Sequence, residues 1–207
     1  MLFQVNGVMG IDSTRSPPKT FSKDFLSVEV SGPDEEHLSV IDVPGIFKKT
    51  TEGVTTKADM AMVNGMVESY VSNPRSIILA VVPANVDIAT QEILDIAEHH
   101  DPEGQRTLGV LTKPDLVDEG AERDILDLLK GQKHKLALGW CVLRNLGQKE
   151  SGEDRERHTT ESAFFTTRVP WNQVEKTRAG VEALRVRLGR ILVQHTRREF
   201  PKVRMNR

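Results

Sequence analysis

Apolar residues fall along this chain in two periods. Leu26, Val28 and Val30 alternate with Ser27 and Glu29, the pattern of a partly exposed strand with one covered face. Ser31-Gly32-Pro33-Asp34 is a turn, and the run from Leu38 to Ile41 follows it, so the pair predicts a β-hairpin. Ile77 to Val82 is unbroken apolar sequence of strand length, which predicts a central parallel strand buried on both faces. Thr107–Leu111 and Leu138–Leu143 predict two further strands. Between the strands the period lengthens to that of a helix. Met60, Val63, Val67 and Val71 mark a helix over Lys57–Val71. Ile93, Leu94 and Ala97 mark one over Thr90–Glu98, and Ile125, Leu128 and Leu129 one over Ala121–Lys130. A long helical pattern covers Val174–Phe200, with Val181, Leu184, Leu188, Leu192 and His195 on one stripe, and Pro201 interrupts it.

Strands alternating with helices predict an α/β fold, a doubly wound and mainly parallel sheet with one antiparallel hairpin strand. The last helix is too long to pack wholly on so small a sheet; it is expected to project and to need helical partners. The remaining stretches read as loops: residues 1–24, with Thr14-Arg15-Ser16-Pro17 among them, and the charged run Glu150–Glu161, whose His158 is a surface residue. Phe164, Phe165 and Trp171 form a small apolar cluster. The polar run Lys48–Thr56 lacks the apolar content to fix itself, which suits a mobile, nucleotide-sensing switch or a plain surface loop. His99-His100-Asp101 has no third ligand at a sensible spacing, so it reads as a solvated helix end, not a metal site.

Composition narrows the class. In 207 residues, 28 basic and 30 acidic side chains nearly cancel, which argues for neither a nucleic-acid nor an anionic-membrane partner. The single cysteine, Cys141, excludes an internal disulfide and fits a reducing compartment. No apolar run approaches membrane-spanning length, so a soluble intracellular protein is expected.

Three short strings carry candidate chemistry, each at the end of an expected strand. Asp42-Val43-Pro44-Gly45 has the D-x-x-G form. In P-loop GTPases its carboxylate holds a water on Mg²⁺ and its glycine N–H approaches the γ-phosphate, where a Cβ would obstruct. Most Asp-x-Pro-Gly strings are ordinary turns. Thr112-Lys113-Pro114-Asp115 has the [TN]-K-x-D form that reads guanine, and Arg144-Asn145-Leu146-Gly147-Gln148 opens from the last strand. Functional loops in doubly wound sheets gather at the carboxyl ends of strands, and all three strings sit there.

In this order the strings resemble the GTPase domain of the dynamin superfamily, in particular the fungal dynamin-like proteins and the myxovirus-resistance GTPases. Supporting text includes Phe21-Ser22-Lys23-Asp24, the continuation Leu116-Val117-Asp118-Glu119-Gly120, Phe164-Phe165 and the closing Leu188–Pro201. The likeness spans nearly the whole chain; the combination is specific where each motif alone is not. It implies that Asp42 holds Mg²⁺ through water, that Gly45 senses the γ-phosphate beside Pro44, and that Asp115 accepts from guanine N1 and N2. It implies that Lys113 lays its stem over the base. Arg144 or Asn145 would touch base or ribose, and Gln148 matches a family glutamine near the ribose. GTP or GDP with Mg²⁺ would be the ligands, and other dynamin-like chains the partners. A membrane would be reached through regions this chain lacks, from the cytoplasm or at an organelle surface or microtubule.

One departure stands out. No G-x-x-x-x-G-K-[ST] phosphate loop occurs; Gly104–Gly109 and Gly147–Gly152 have the glycine spacing but are followed by Val110-Leu111 and Glu153-Asp154. The chain therefore reads as a fragment: residues 1–173 as part of a dynamin-type GTPase domain, and 174–207 as a helical neck leading to an absent stalk. On this reading the chain neither hydrolyses GTP nor folds stably alone, and no catalytic residue can be named. Two functions are expected: a GTPase whose hydrolysis drives self-assembly and membrane remodelling in the intact protein, or a non-catalytic remnant whose long helix docks onto related chains. An unrelated doubly wound domain with chance motifs is the third reading.

Overall fold

The computed structural model describes residues 20–33, 39–46, 51, 54–147, 150 and 154–204. They belong to two compact units, Met1–Tyr70 and Val71–Arg207. The loop around Thr14, Leu38 at the start of the second expected strand, the run from Phe47 to Thr50, and Gln148 lie outside the described residues.

In the first unit the expected hairpin does not form. Residues 24–32 and 39–46 carry neither strand nor helix. The stripe of Leu26, Val28 and Val30 is exposed, as are Val40 and Ile41. Alternation specifies which face a strand would bury, but two strands alone are marginal unless a third strand or a helix covers that face. Among the described residues the unit's regular element is α1, Lys57–Val71. Thr56 and Asp59 cap it reciprocally: the Asp59 carboxylate accepts from the Thr56 N–H and hydroxyl at 2.8 Å, and the Asp59 N–H donates to the Thr56 oxygen at 3.1 Å. Val63, Val67 and Val71 are buried, as their spacing predicts.

The second unit is built on three parallel strands in the order β1 (Ile78–Pro83), β2 (Thr107–Thr112) and β3 (Trp140–Val142). Helix α2 (Glu92–His100) joins the first two and α3 (Glu122–Leu129) the last two. Every residue of β2 up to Leu111 is buried, the behaviour of a central parallel strand. The expectation of two buried faces fails for β1. Ile78, Ala80 and Val82 are buried but Leu79 and Val81 are exposed, because among the described residues β1 is the edge of the sheet and only one of its faces is covered.

Helices cover both faces of β2 and β3. On one face Val82, Leu111, Trp140 and Val142 pack with Ile125, Leu128 and Leu129 of α3 and with Phe164 and Trp171. On the other, Leu108, Val110, Cys141 and Leu143 meet Leu184 and Ile191. Phe164 lies on α4, Asp154–Thr167, where the sequence reads as an exposed loop over Glu150–Glu161. The polar run hides the helix because Glu161, a carboxylate, holds a core position one turn before Phe164. His158 is exposed, as expected.

The final helix, α5, runs Val181–Arg204 and not from Val174. Residues before it are committed elsewhere: Trp171–Gln173 is a 3₁₀ turn and Ala179 bridges to Val142 in parallel fashion. Its buried stripe is Leu184 and Ile191 with Leu188 between, while Val181 faces water. The helix continues through Pro201, whose missing N–H removes one bond without ending it. His195 Nε2 lies 2.9 Å from the carbonyl of Arg75.

Candidate functional site

The site begins where β2 leaves the core. Thr112, its last residue, accepts the Ala84 N–H on its carbonyl at 2.7 Å, so the strand stays registered with β1 to its end. Lys113 then takes φ 56°, ψ 44°, the left-handed conformation that L side chains avoid. That single residue swings the chain out of the sheet into a 3₁₀ turn, Pro114–Leu116, closed by the Leu116 N–H on the Lys113 carbonyl at 3.1 Å. Pro114 is buried as the anchor; Lys113 is exposed and Asp115 half-buried. The Asp115 carboxylate makes no hydrogen bond or ion pair with another described residue.

The loop after β3 leaves beside it, since the Leu143 N–H donates to the Leu111 carbonyl at 2.8 Å. Arg144 and Asn145 then part. The Arg144 side chain is 10% exposed, and its Nη2 donates to both Glu150 oxygens at 2.8 Å. Its guanidinium carbon sits 5.7 Å from the Phe164 ring centroid. Its Nε and Nη1 are buried without a hydrogen-bond partner among the described residues. Asn145 is exposed, and its Oδ1 accepts from Arg157 Nη2 at 2.6 Å. Of the two residues that the sequence leaves open as base or ribose contacts, Arg144 is held inward and Asn145 stands at the surface.

Glu150 closes this loop on itself. The Gly147 N–H at 3.0 Å, and after it the Arg144 guanidinium, hold its carboxyl below the ordinary glutamate value. Glu161 holds the loop from beneath: it is 5% exposed, and its Oε1 accepts the Arg144 backbone N–H at 2.9 Å.

Asp42, Pro44 and Gly45 lie in the other unit and are exposed. Asp42 has no hydrogen-bonded or ionic partner among the described residues, and a Cβ at Gly45 would meet nothing within 4 Å. No described group of three or more His, Cys, Asp or Glu could hold a metal by itself. A lone carboxylate does suit the water-mediated position that one acidic side chain takes on Mg²⁺, most of whose ligands are waters and phosphates.

Around His99-His100-Asp101 the solvated helix end is only half right. Asp101 is buried, accepting the Gln105 and Arg106 N–H groups at 2.9 Å each and the Thr107 hydroxyl at 2.6 Å. Arg106 beside it is also buried. It donates to the carbonyls of Ser76 (3.0 Å), Val71 (2.6 Å) and His100 (2.9 Å). Sequence reasoning misses Asp101, Arg106 and Glu161 because charged side chains are rarely buried. A cavity of about 550 Å³ opens at the carboxyl end of β1, over Ile88, Ile125 and Leu128, with the Asp124–Lys133 ion pair in its wall. None of the motif residues lines it.

A parallel sheet wrapped by helices on both faces, with a T-K-P-D turn at the carboxyl end of its central strand, defines a doubly wound domain of the P-loop GTPase type. The chain belongs to the dynamin family: that family's model matches residues 9–114, and the dynamin central region matches 124–206. It is 37% identical over 186 residues to the interferon-induced GTP-binding protein Mx of Epinephelus coioides, covering 88% of this chain and 30% of that one. It is 35% identical over 191 residues to the protein of the same name from Dicentrarchus labrax, covering 90% of this chain and 29% of that one. With the interferon-induced GTP-binding protein MxA of Danio rerio it shares 35% over 186 residues, covering 88% and 29%. The chain thus spans about 30% of the length of the curated relatives it matches.

Proposed function

We propose that this chain binds a guanine nucleotide as part of a dynamin-type GTPase and carries the base-reading side of the site. The observation that carries the reading is the Thr112–Asp115 turn. It follows a fully buried parallel strand, runs beside the Arg144–Asn145 loop, and leaves the Asp115 carboxylate without a described partner. A carboxylate with both oxygens free matches the paired N1 and N2 donors of guanine, a pair that adenine lacks. Lys113, exposed on its left-handed turn, lays its aliphatic stem over the base. Asn145 borders the base or ribose, with Gln148 near the sugar. Asp42 holds Mg²⁺ through water and the Gly45 N–H meets the γ-phosphate. Residues 1–173 form part of the GTPase domain and 174–207 the neck segment leading away from it. Self-association with related chains, cytoplasmic location and membrane remodelling are proposed for the longer protein. The relatives' names, which call them GTP-binding, support the reading.

Titration with a fluorescent guanine nucleotide and Mg²⁺ tests it, with the adenine analogue and Asp115→Ala as controls. Guanine-selective binding that Asp115→Ala abolishes upholds the reading. Equal affinity for the two bases, or binding indifferent to Asp115→Ala, would sink it.

A further inference from the structure

The geometry points to Glu161 as a positioning residue that joins the loop after β3 to the first turn of α5. Its Oε1 accepts the Arg144 N–H at 2.9 Å and its Oε2 accepts the Val181 N–H at 2.8 Å. The two donors lie far apart in sequence and meet on one rigid, planar group that is 5% exposed. A carboxylate is kept in such a place only when hydrogen bonds replace its lost water, and these two backbone N–H groups do so.

The helix gains as much as the carboxylate does. The first N–H groups of α5 have no partners within the helix and form the positive end of its dipole. The residue ahead of it, Gly180, has no side chain with which to cap them. Gly180 sits at φ +88°, and a Cβ there would stand 3.2 Å from Glu161 Oε2, so the bare backbone is what lets the carboxylate approach. The same two segments are fastened again by backbone bonds. The Val142 N–H donates to the Arg178 carbonyl at 2.8 Å, and the Gly180 N–H donates to the Val142 carbonyl at 2.9 Å. β3 and the approach to α5 therefore move as one piece, with Glu161 reaching past them to hold Arg144 itself.

The consequence, which rests on reading Arg144–Asn145 as base-side residues, is a two-way dependence. Nucleotide that orders the loop tightens the first turn of α5, and loosening that turn weakens nucleotide by the same factor. The arrangement makes Glu161 more than a helix cap.

Amide hydrogen exchange at Arg144 and across the start of α5, with and without GDP and Mg²⁺, tests this in the full chain, in Glu161→Gln and in Val181→Pro. Proline suits the first helical position, so Val181→Pro keeps the helix while deleting the one donor that Glu161 takes from it. In the parent chain GDP should slow exchange at Val181 on the order of fivefold or more. In Glu161→Gln, Arg144 and Val181 should lose protection together, GDP should no longer slow Val181, and GDP affinity should fall by about the same factor. Val181→Pro should also weaken GDP and speed exchange at Arg144. Loss of protection at Val181 alone, or GDP affinity unchanged in Val181→Pro, would reduce Glu161 to a cap and overturn the proposal. If the parent chain binds no GDP, the function proposed above falls. The link is then decided by exchange without nucleotide: joint loss at Arg144 and Val181 in Glu161→Gln upholds it, and separate behaviour overturns it. Should Glu161→Gln fail to fold, Arg144 exchange in Val181→Pro decides in its place.

Discussion

The indole of Trp140 lies against the bare Cα of Gly109: a Cβ built on that glycine would stand 2.1 Å from the ring. The two are register partners on β3 and β2. Trp140 is fully buried, and its Nε1–H donates to the His134 carbonyl at 2.9 Å, so the ring cannot tilt away without losing that bond. Gly109→Ala should therefore overpack the core and destabilise the chain by about 3 kcal/mol. Urea unfolding followed by tryptophan fluorescence should show a lower midpoint at an unchanged slope. A midpoint at the parent value would mean that the ring is free to move.

Lys113 separates stability from function. Its left-handed backbone costs roughly 1 kcal/mol relative to glycine. Lys113→Gly should stabilise the chain by about that amount while weakening guanine nucleotide binding, because the stem over the base is gone. Thermal unfolding and nucleotide titration on one sample check both. A variant that loses stability would show that the Lys113 side chain supports the fold.

Arg106 satisfies the carbonyls of Val71, Ser76 and His100 with one planar fork. A lysine ammonium cannot reach the same three oxygens in that geometry. Arg106→Lys should cost about 2 kcal/mol, and Arg106→Met more, since it removes all three of these hydrogen bonds. Equal stability of the two variants in urea would refute the idea that the hydrogen bonds, and not the packing of the stem, matter here.

Glu150 makes the loop sensitive to acid. Its carboxyl is held below its ordinary value by the Gly147 N–H and then by Arg144, so its contribution is fully present above the unfolded-state value, about 4.3. That contribution disappears as pH falls through the lower folded-state value. Glu150→Gln should be less stable than the parent at pH 7, and the gap should close on acidification below about pH 4. The Glu150 side chain is 43% exposed, so the gap is small and shrinks with added salt. Denaturation curves from neutral to acid pH give the answer, and a gap independent of pH would count against an ionic role.

The parts legible in the sequence were those where a local signal and the tertiary environment agree. Leu108, Val110 and Leu111 read as buried and are; the turn Thr112–Asp115 reads as the end of that strand and lies there. Met60, Val63 and Val67 carried helical spacing strong enough to place α1. Failures arose where one residue's role depends on something distant in sequence. Leu26, Val28 and Val30 have the alternation of a strand, but pairing decides whether a strand exists, and alternation does not encode the partner. The α4 helix was obscured because its core face is built from Glu161 and Phe164. Burial of that carboxylate makes sense only once Arg144 and Val181 stand beside it. Arg144 and Asn145 could not be told apart in the sequence, since what separates them is Glu150 on one and Arg157 on the other.

The half-covered face of β1 bears on how the chain behaves in a tube. Leu79 and Val81 are 39% and 50% exposed on neighbouring outward positions of one strand, and a formal net charge of −2 gives molecules little reason to stay apart. Salts excluded from protein surfaces, sulfate and phosphate above all, strengthen the drive to hide such a patch. Solubility should thus fall steeply in ammonium sulfate. Solutions a pH unit or more above the sequence pI of about 6.3, where negative charge accumulates, are the ones that keep the chain dispersed.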